Sequence, residues 1–323
     1  MIEQLGLPYM GSKRKLAPKI LNKIMQDNPD TKYFYDLFGG GASVSLLAVQ
    51  YPKLKKVFYN EFNTSIVLLL RDIRNNGVSA KYYEWIDRDT FKENVNEDTL
   101  LGGICKCVWS FGNNQKNYLF GKDIEDDKRL LHEIVVNQCK KSLKEFNNKF
   151  DVNIILDYES CLFGYEESIN DRRLRIMQQV KASVPQRMDL EQLQQLQQLQ
   201  QLQRLEQLEQ LQRLEQLEQL QQLEQLQQLH ITNLSYEQVE ITTPIDETII
   251  YLDPPYKNTA SYSKTIDFDK LEEYINKSPY KIYVSGYENT YDMIEVASFK
   301  HRSTLSPTAN NEVEEKLYCN RVG

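Results

Sequence analysis

A chain of 323 residues, 41% hydrophobic and 26% charged, can bury a sizeable core, and it has no run of about 18 apolar residues that would cross a membrane. Its net charge of −7 weighs against a nucleic-acid partner, but residues 190–229 hold six Glu and two Arg, so only −3 belongs to the rest, where Gly11-Ser12-Lys13-Arg14-Lys15 opens a basic stretch. Five scattered cysteines (105, 107, 139, 161 and 319) argue against a disulfide framework, and Met1-Ile2-Glu3-Gln4-Leu5 lacks the basic start and apolar run of a secretory signal, so a reducing cytoplasm is expected.

In chain order, Phe34–Phe38 reads as a strand, Gly39-Gly40-Gly41 as a turn and Ala42–Val49 as a helix. Residues 57–62 form a second short strand, and Asn63 and Thr64 stand at the N-cap place of a helix over Ile66–Ile73. This β-α-β unit begins a parallel sheet. Residues 76–187 show no further alternation of strands and helices and read as a mainly helical module inserted into that sheet. Leu229–Leu234, Thr248–Leu252 and Lys281–Val284 then resume it. The boundaries expected are 1–75 and 230–323 for the two parts of the sheet domain, 76–187 for the module, and 188–229 for a repeat.

In that repeat leucine recurs at every third residue from Leu190 to Leu229, fourteen in all, with only Gln, Glu and Arg between. Every residue type there favours helix. Three residues turn an α-helix through about 300°, however, so the leucine stripe circles the rod and no single face is apolar. A long helix and a solenoid with one inward leucine per short side both stay open. A solvated rod with this many leucines should bury them against each other or against a second chain, so self-association or a protein partner is expected there. The repeat is expected to lie outside the chemistry, because near-identical triplets tolerate gain and loss.

Two segments carry chemistry. Asp36-Leu37-Phe38-Gly39-Gly40-Gly41 places glycines where a chain leaving a strand must turn tightly and approach a ligand. Glu61, about 20 residues further at the end of the second strand, is the acid that ribose hydroxyls require, so strand, glycines and acid together favour a nucleoside-containing ligand. Asp253-Pro254-Pro255-Tyr256 ends the apolar strand Ile249–Leu252, where two prolines can stand only once strand pairing has stopped. A carboxylate and a proline carbonyl offer acceptors and no donors, which suits an amino group. Tyr256 offers a face on which a planar base can stack.

With Pro8-Tyr9-Met10-Gly11-Ser12-Lys13 at the start, these motifs occur in the order found in the Dam family of adenine-N6 DNA methyltransferases, which the chain resembles outside 188–229. Ser110-Phe111-Gly112-Asn113-Asn114 with Tyr118 resembles a segment of that family's DNA-recognition module. Tyr283–Glu288 and Glu315–Tyr318 resemble later family segments. The resemblance implies an α/β, Rossmann-like methyltransferase sheet carrying an inserted DNA-recognition module, with S-adenosylmethionine as cofactor and double-stranded DNA as substrate, in a bacterial cell or a phage-infected host. It implies Asp253, Pro254, Pro255 and Tyr256 as catalytic residues. Lys13, Asp36, Phe38, Gly39, Gly40, Gly41, Glu61, Ser235, Tyr236 and Asp253 are implied for the cofactor, and Tyr9, Lys13, Arg14, Asn113, Asn114 and Tyr118 for DNA. Family members often carry Asp where this chain has Ser235, which removes a negative charge beside the cofactor's adenine.

The amine of adenine is a poor nucleophile because its lone pair is delocalised into the ring. Accepting its hydrogens at Asp253 and Pro254 favours an available lone pair, and in-line attack then depends on position. The base must leave the duplex to reach the site. No metal is needed, and His132, His230 and His301 lie too far apart in sequence to suggest one. Trp85 and Trp109 read as core, and Arg172, Arg173 and Arg175 as either a phosphate-facing cluster or a solvated helix face. A cytosine-N4 DNA methyltransferase, an RNA adenine methyltransferase and an idle DNA-binding or interaction protein are the competing readings.

Overall fold

The computed structural model describes residues 5–155, 168–182, 209–221, 224–255, 266–302 and 312–321. Seven strands form one sheet: β1 Tyr33–Asp36, β2 Lys56–Asn60, β3 Leu229–Thr232, β4 Thr248–Leu252, β5 Lys281–Gly286, β6 Ile294–Arg302 and β7 Glu312–Cys319. Their order is β3-β2-β1-β4-β5-β7-β6. The first five are parallel, and β7 runs antiparallel to both β5 and β6. β4 is buried along its whole length, as its unbroken apolar run requires in a sheet covered on both faces. The chain leaves β1 toward β2 on one side and reaches β4 on the other, so a switch point lies between β1 and β4, where open α/β sheets bind ligands at their carboxyl ends.

Eleven α-helices accompany the sheet among the described residues: α1 Ala17–Asp27, α2 Ser43–Ala48, α3 Thr64–Asn76, α4 Arg88–Asn94, α5 Leu100–Val108, α6 Glu125–Val135, α7 Lys140–Phe150, α8 Ile169–Ala182, α9 Glu209–Gln221, α10 Glu224–Gln228 and α11 Phe268–Lys277. None is long and apolar enough to cross a membrane. Asn63 is the N-cap of α3, as its sequence suggests, and Thr99 caps α5 by accepting from the Gly102 amide at 3.0 Å. The sheet is the Rossmann-like sheet expected, and the described residues between 76 and 182 form helices and turns, with an isolated bridge between Ser110 and Tyr118.

The apolar core runs without a break from β1 into this helical region. Phe34, Tyr59, Leu69, Trp109, Phe146 and Leu214 belong to one buried cluster, and α5 lies against α3. Gly103 makes that contact close, since a Cβ there would sit 2.3 Å from the Ser65 carbonyl oxygen.

Of the two readings left open for the repeat, the helix holds over Glu209–Gln221, and one further expectation needs correction. Residues 209–221 are helical, so the solenoid does not apply to them; residues 188–208 lie outside the described residues. The leucines expected to bury against each other or against a second chain are, in α9, buried against the rest of the fold. Leu211, Leu214 and Leu217 are buried, and α9 packs against α3, α5, α8 and the 3-10 turn at Ala80–Tyr83. A leucine stripe that circles its helix is a poor fit to one flat surface and a good fit to a slot walled on several sides. The basic cluster also differs from both readings. Arg172 is buried and donates to the carbonyls of Val135 (2.7 Å) and Val136 (3.1 Å), while Arg173, also buried, stands 3.8 Å from Glu215 of α9.

Candidate active site

Four consecutive strand positions in the sheet, β3, β2, β1 and β4, end in the four segments singled out from sequence. Ser235 follows β3, Glu61 follows β2, Asp36 closes β1 and Asp253 follows β4. Together they line a cavity of about 500 Å³. Tyr9, Lys13, Phe38, Gly39–Gly41, Tyr236 and Pro255 join the wall, as do Lys106, Gln115 and Lys116 from the helical region.

The glycine turn is shaped by contact on two sides. A Cβ on Gly39 would meet the Tyr59 ring at 2.3 Å, and Gly40 holds φ +47° with Tyr9 directly beyond it. The Gly40 amide donates to Glu61 Oε2 at 2.8 Å, and the Asn63 amide to Glu61 Oε1, also at 2.8 Å. Burial pushes the Glu61 carboxyl up from its ordinary value, while those backbone donors and Lys106 act against it. Lys106 is itself buried in α5, donating to Ser65 Oγ at 2.7 Å and Asn63 Oδ1 at 3.2 Å. Asn60 ties three strand ends together. Its Nδ2 donates to the Leu37 and Leu234 carbonyls, and its Oδ1 accepts from the Leu234 amide and the Thr232 hydroxyl.

Asp36 is buried and accepts from Ser45 Oγ at 2.6 Å through Oδ2, whereas Oδ1 has no hydrogen-bond partner among the described residues. Burial raises its pKa to about 7, with Asp253 and Glu61 nearby adding to the rise. Tyr236 stands 5.4 Å from Phe38, centroid to centroid, making an aromatic wall. Ser235 begins the turn at Tyr236–Gln238 in a reciprocal capping box with Gln238.

Asp253 is held from two sides. Ser285 Oγ donates to its Oδ1 at 2.9 Å, and Lys13 Nζ lies 3.0 Å from the same oxygen. Ser285 also shares a 2.8 Å hydrogen bond with the Tyr251 hydroxyl. Lys13 Nζ lies 3.4 Å from Glu315, a β7 residue that is 1% exposed. Burial alone would lower the pKa of Lys13, but the carboxylates of Asp253 and Glu315 outweigh it and keep the ammonium charged. A buried cation between two acids, one of them facing the cavity, puts a hydrogen-bond donor where an incoming amino group would have to donate.

The residues expected to meet DNA divide. Tyr9 and Lys13 lie on the cavity wall, with Lys13 turned onto Asp253. Asn114 Oδ1 accepts from the amides of Lys116 and Asn117 and so shapes the 111–117 loop, and Asn113 stands in that loop at φ +57°. Arg14 and Tyr118 are corrections. The Arg14 guanidinium donates to Gly6 O (2.5 Å) and Gln216 Oε1 (3.0 Å), which commits it to the protein. Tyr118 is buried, donates to Ile86 O at 2.7 Å and packs on Phe91 and Trp109, so it is core. Tyr256 lies outside the described residues. Sequence reading missed Asn60, Lys106, Ser285 and Glu315 as parts of the site, although Ser285 and Glu315 stood inside segments recognised for other reasons.

The model of the family described as D12 class N6 adenine-specific DNA methyltransferase matches residues 9–315. No curated protein matches the chain.

Proposed function

The chain belongs to the D12 class of N6 adenine-specific DNA methyltransferases, and we propose that it takes its methyl group from S-adenosylmethionine and delivers it to an adenine turned out of the duplex. The observation that carries this reading is the carboxylate of Asp253, fixed by Ser285 and Lys13 on a cavity that Gly39–Gly41 and Glu61 also line.

The wall fits such a cofactor on chemical grounds. Glu61 offers an acceptor for ribose hydroxyls, Phe38 and Tyr236 offer apolar faces for a base, and Oδ1 of Asp36, without a hydrogen-bond partner among the described residues, offers an acceptor to a cationic group. A cavity of about 500 Å³ is within the range that takes a ligand of that size. Bound there, the cofactor supplies a methyl group activated by a sulfonium centre.

The protein's own part is placement. Asp253 accepts one hydrogen of the adenine amine and the Pro254 carbonyl the other, which localises the nitrogen lone pair. Ser285 and Tyr251 keep the Asp253 carboxylate from turning. Tyr256 supports the extruded base by stacking. Lys13 gives up its place at Asp253 as the amine arrives and keeps Glu315 as its counter-ion, so the ammonium never stands unpaired. Gln115 and Lys116 bring the 111–117 loop to the rim, where DNA enters.

The test is direct. The protein is incubated with methyl-labelled S-adenosylmethionine and duplex DNA, and the digested nucleosides are separated. Label in N6-methyladenine supports the reading; label in N4-methylcytosine, or none, refutes it.

A further inference from the structure

One turn of α9 touches two parts of the site at once. Arg213 donates through a single guanidinium nitrogen to the carbonyls of Val108 and Ser110, each at 2.7 Å, and is 8% exposed. Gln216, three residues on, accepts from Arg14, the neighbour of Lys13. Val108 is the last residue of α5, where carbonyls lack partners within the helix and a cation is favoured by the helix dipole. Ser110 is the root of the 111–117 loop. Its backbone pairs with Tyr118 across the loop, the Phe111 amide donates to Asn117 O at 2.8 Å, and the Ser110 hydroxyl donates to Lys106 O at 2.5 Å. The loop so closed carries Phe111 at 60% exposure and sets Gln115 and Lys116 on the cavity wall.

We propose that Arg213, a residue of the leucine repeat, is a positioning residue that holds the 111–117 loop over the active site and so governs engagement of DNA. This rests on the reading of the chain as a DNA methyltransferase with that loop at the substrate rim. A cation serving only the stability of α5 would affect every ligand alike. Arg213 instead acts at the loop root, through the carbonyls of Val108 and Ser110.

The sequence of the repeat sharpens the proposal. Residues 202–210 and 211–219 are identical, each reading Leu-Gln-Arg-Leu-Glu-Gln-Leu-Glu-Gln. α9 and α10 run into β3, which pairs with β2 from Leu229 onward, so the position that faces Val108 and Ser110 is counted back from that strand. Removing 211–219 brings Arg204 and its identical neighbours into the vacated place. The repeat can then lose nine residues without losing the contact.

The experiment uses the full chain, a duplex substrate and S-adenosylmethionine, with steady-state kinetics, calorimetry of cofactor binding and thermal melting. Arg213→Gln is expected to raise KM for DNA about tenfold or more, the size set by losing hydrogen bonds from a charged group, with the cofactor Kd within about twofold of the parent. Arg213→Lys, which keeps the charge but replaces the planar guanidinium with a compact ammonium, is expected to lie between, and it carries the test should the glutamine variant not fold. Deletion of 211–219 is expected to leave KM unchanged, and adding Arg204→Gln to that shortened chain to restore the defect, although Arg204→Gln alone in the full chain is silent. Unchanged KM in Arg213→Gln and Arg213→Lys, or an equal loss of cofactor and DNA affinity, overturns the proposal. A parent protein that methylates no DNA refutes the functional reading instead, so the two failures are distinct.

Discussion

Lys13 Nζ lies 3.0 Å from Asp253 Oδ1, so the carboxylate assigned to the adenine amine is already met by a donor from the other end of the chain. Lys13 is buried and shares its charge with Glu315. The pair holds a donor on that carboxylate inside the cavity until a substrate amine replaces the ammonium.

Asp253→Ala should therefore abolish methyl transfer by more than displacing a weak base. It removes the acceptor and strands the Lys13 ammonium on Glu315 alone. A fall in kcat of about 10²–10³-fold is expected, as for loss of a preorganised transition-state contact. Calorimetry should show cofactor binding largely retained; near-parental turnover would remove Asp253 from the mechanism.

Glu315→Gln should slow turnover while leaving cofactor affinity near that of the parent. With one counter-ion gone, Lys13 binds Asp253 more tightly and yields less readily to the amine. Lys13→Met in the same chain should relieve part of the defect, and a simple additive loss in the double variant would show that the two residues act independently.

Glu61→Ala should weaken cofactor binding more than DNA binding. Loss of a hydrogen bond to a charged group costs about 1.5–3 kcal/mol, or roughly tenfold to a hundredfold in Kd. The substitution also frees the Gly40 and Asn63 amides, so the glycine turn should loosen. Parallel titrations with cofactor and with duplex DNA decide it, and equal losses would make Glu61 a structural residue.

Ser235→Asp should tighten cofactor binding, because it restores an acid where family members often have one. The backbone tolerates it, since Asp is as good an N-cap as Ser for the turn at Tyr236–Gln238. Weaker binding would place the cofactor's adenine elsewhere.

Asp36→Asn should stabilise the protein at neutral and alkaline pH and make little difference in acid. The folded-state pKa of Asp36, about 7, lies above the ordinary carboxyl value of 3.8. The folded state then binds the extra proton between those limits, so Asp36 favours folding below about pH 4 and that contribution is lost as pH rises through 7. Melting temperatures of parent and variant across pH 4–8 should diverge as the pH increases; curves that stay parallel would mean Asp36 ionises normally.

Much of the site was legible because its chemistry stands at abrupt changes in the sequence. The apolar run Ile249–Leu252 stops at two prolines, Phe34–Phe38 stops at three glycines, and such breaks mark the carboxyl edge of a parallel sheet without any knowledge of its partners. Asn60, Lys106 and Ser285 carry no such mark. Each acquires its role from a contact made across the fold, Lys106 to Asn63 and Ser285 to Asp253, which a local pattern does not contain. Arg14 and Tyr118 were misread for the same reason in reverse. Their polar groups look free in sequence and are spent on Gly6, Gln216 and Ile86. The repeat was misjudged because its period was weighed for a rod in solvent, whereas Leu211, Leu214 and Leu217 sit among α3, α5 and α8.

The two tryptophans of the chain, Trp85 and Trp109, meet edge to face at 5.0 Å, flanked by Phe120 and the buried ring of His132. Both belong to the helical region, and Trp109 immediately precedes the root of the 111–117 loop. Intrinsic indole emission therefore reports on that region alone and leaves the sheet dark. A shift in emission on adding duplex DNA, set against little change on adding cofactor, would follow the loop in real time without any attached label.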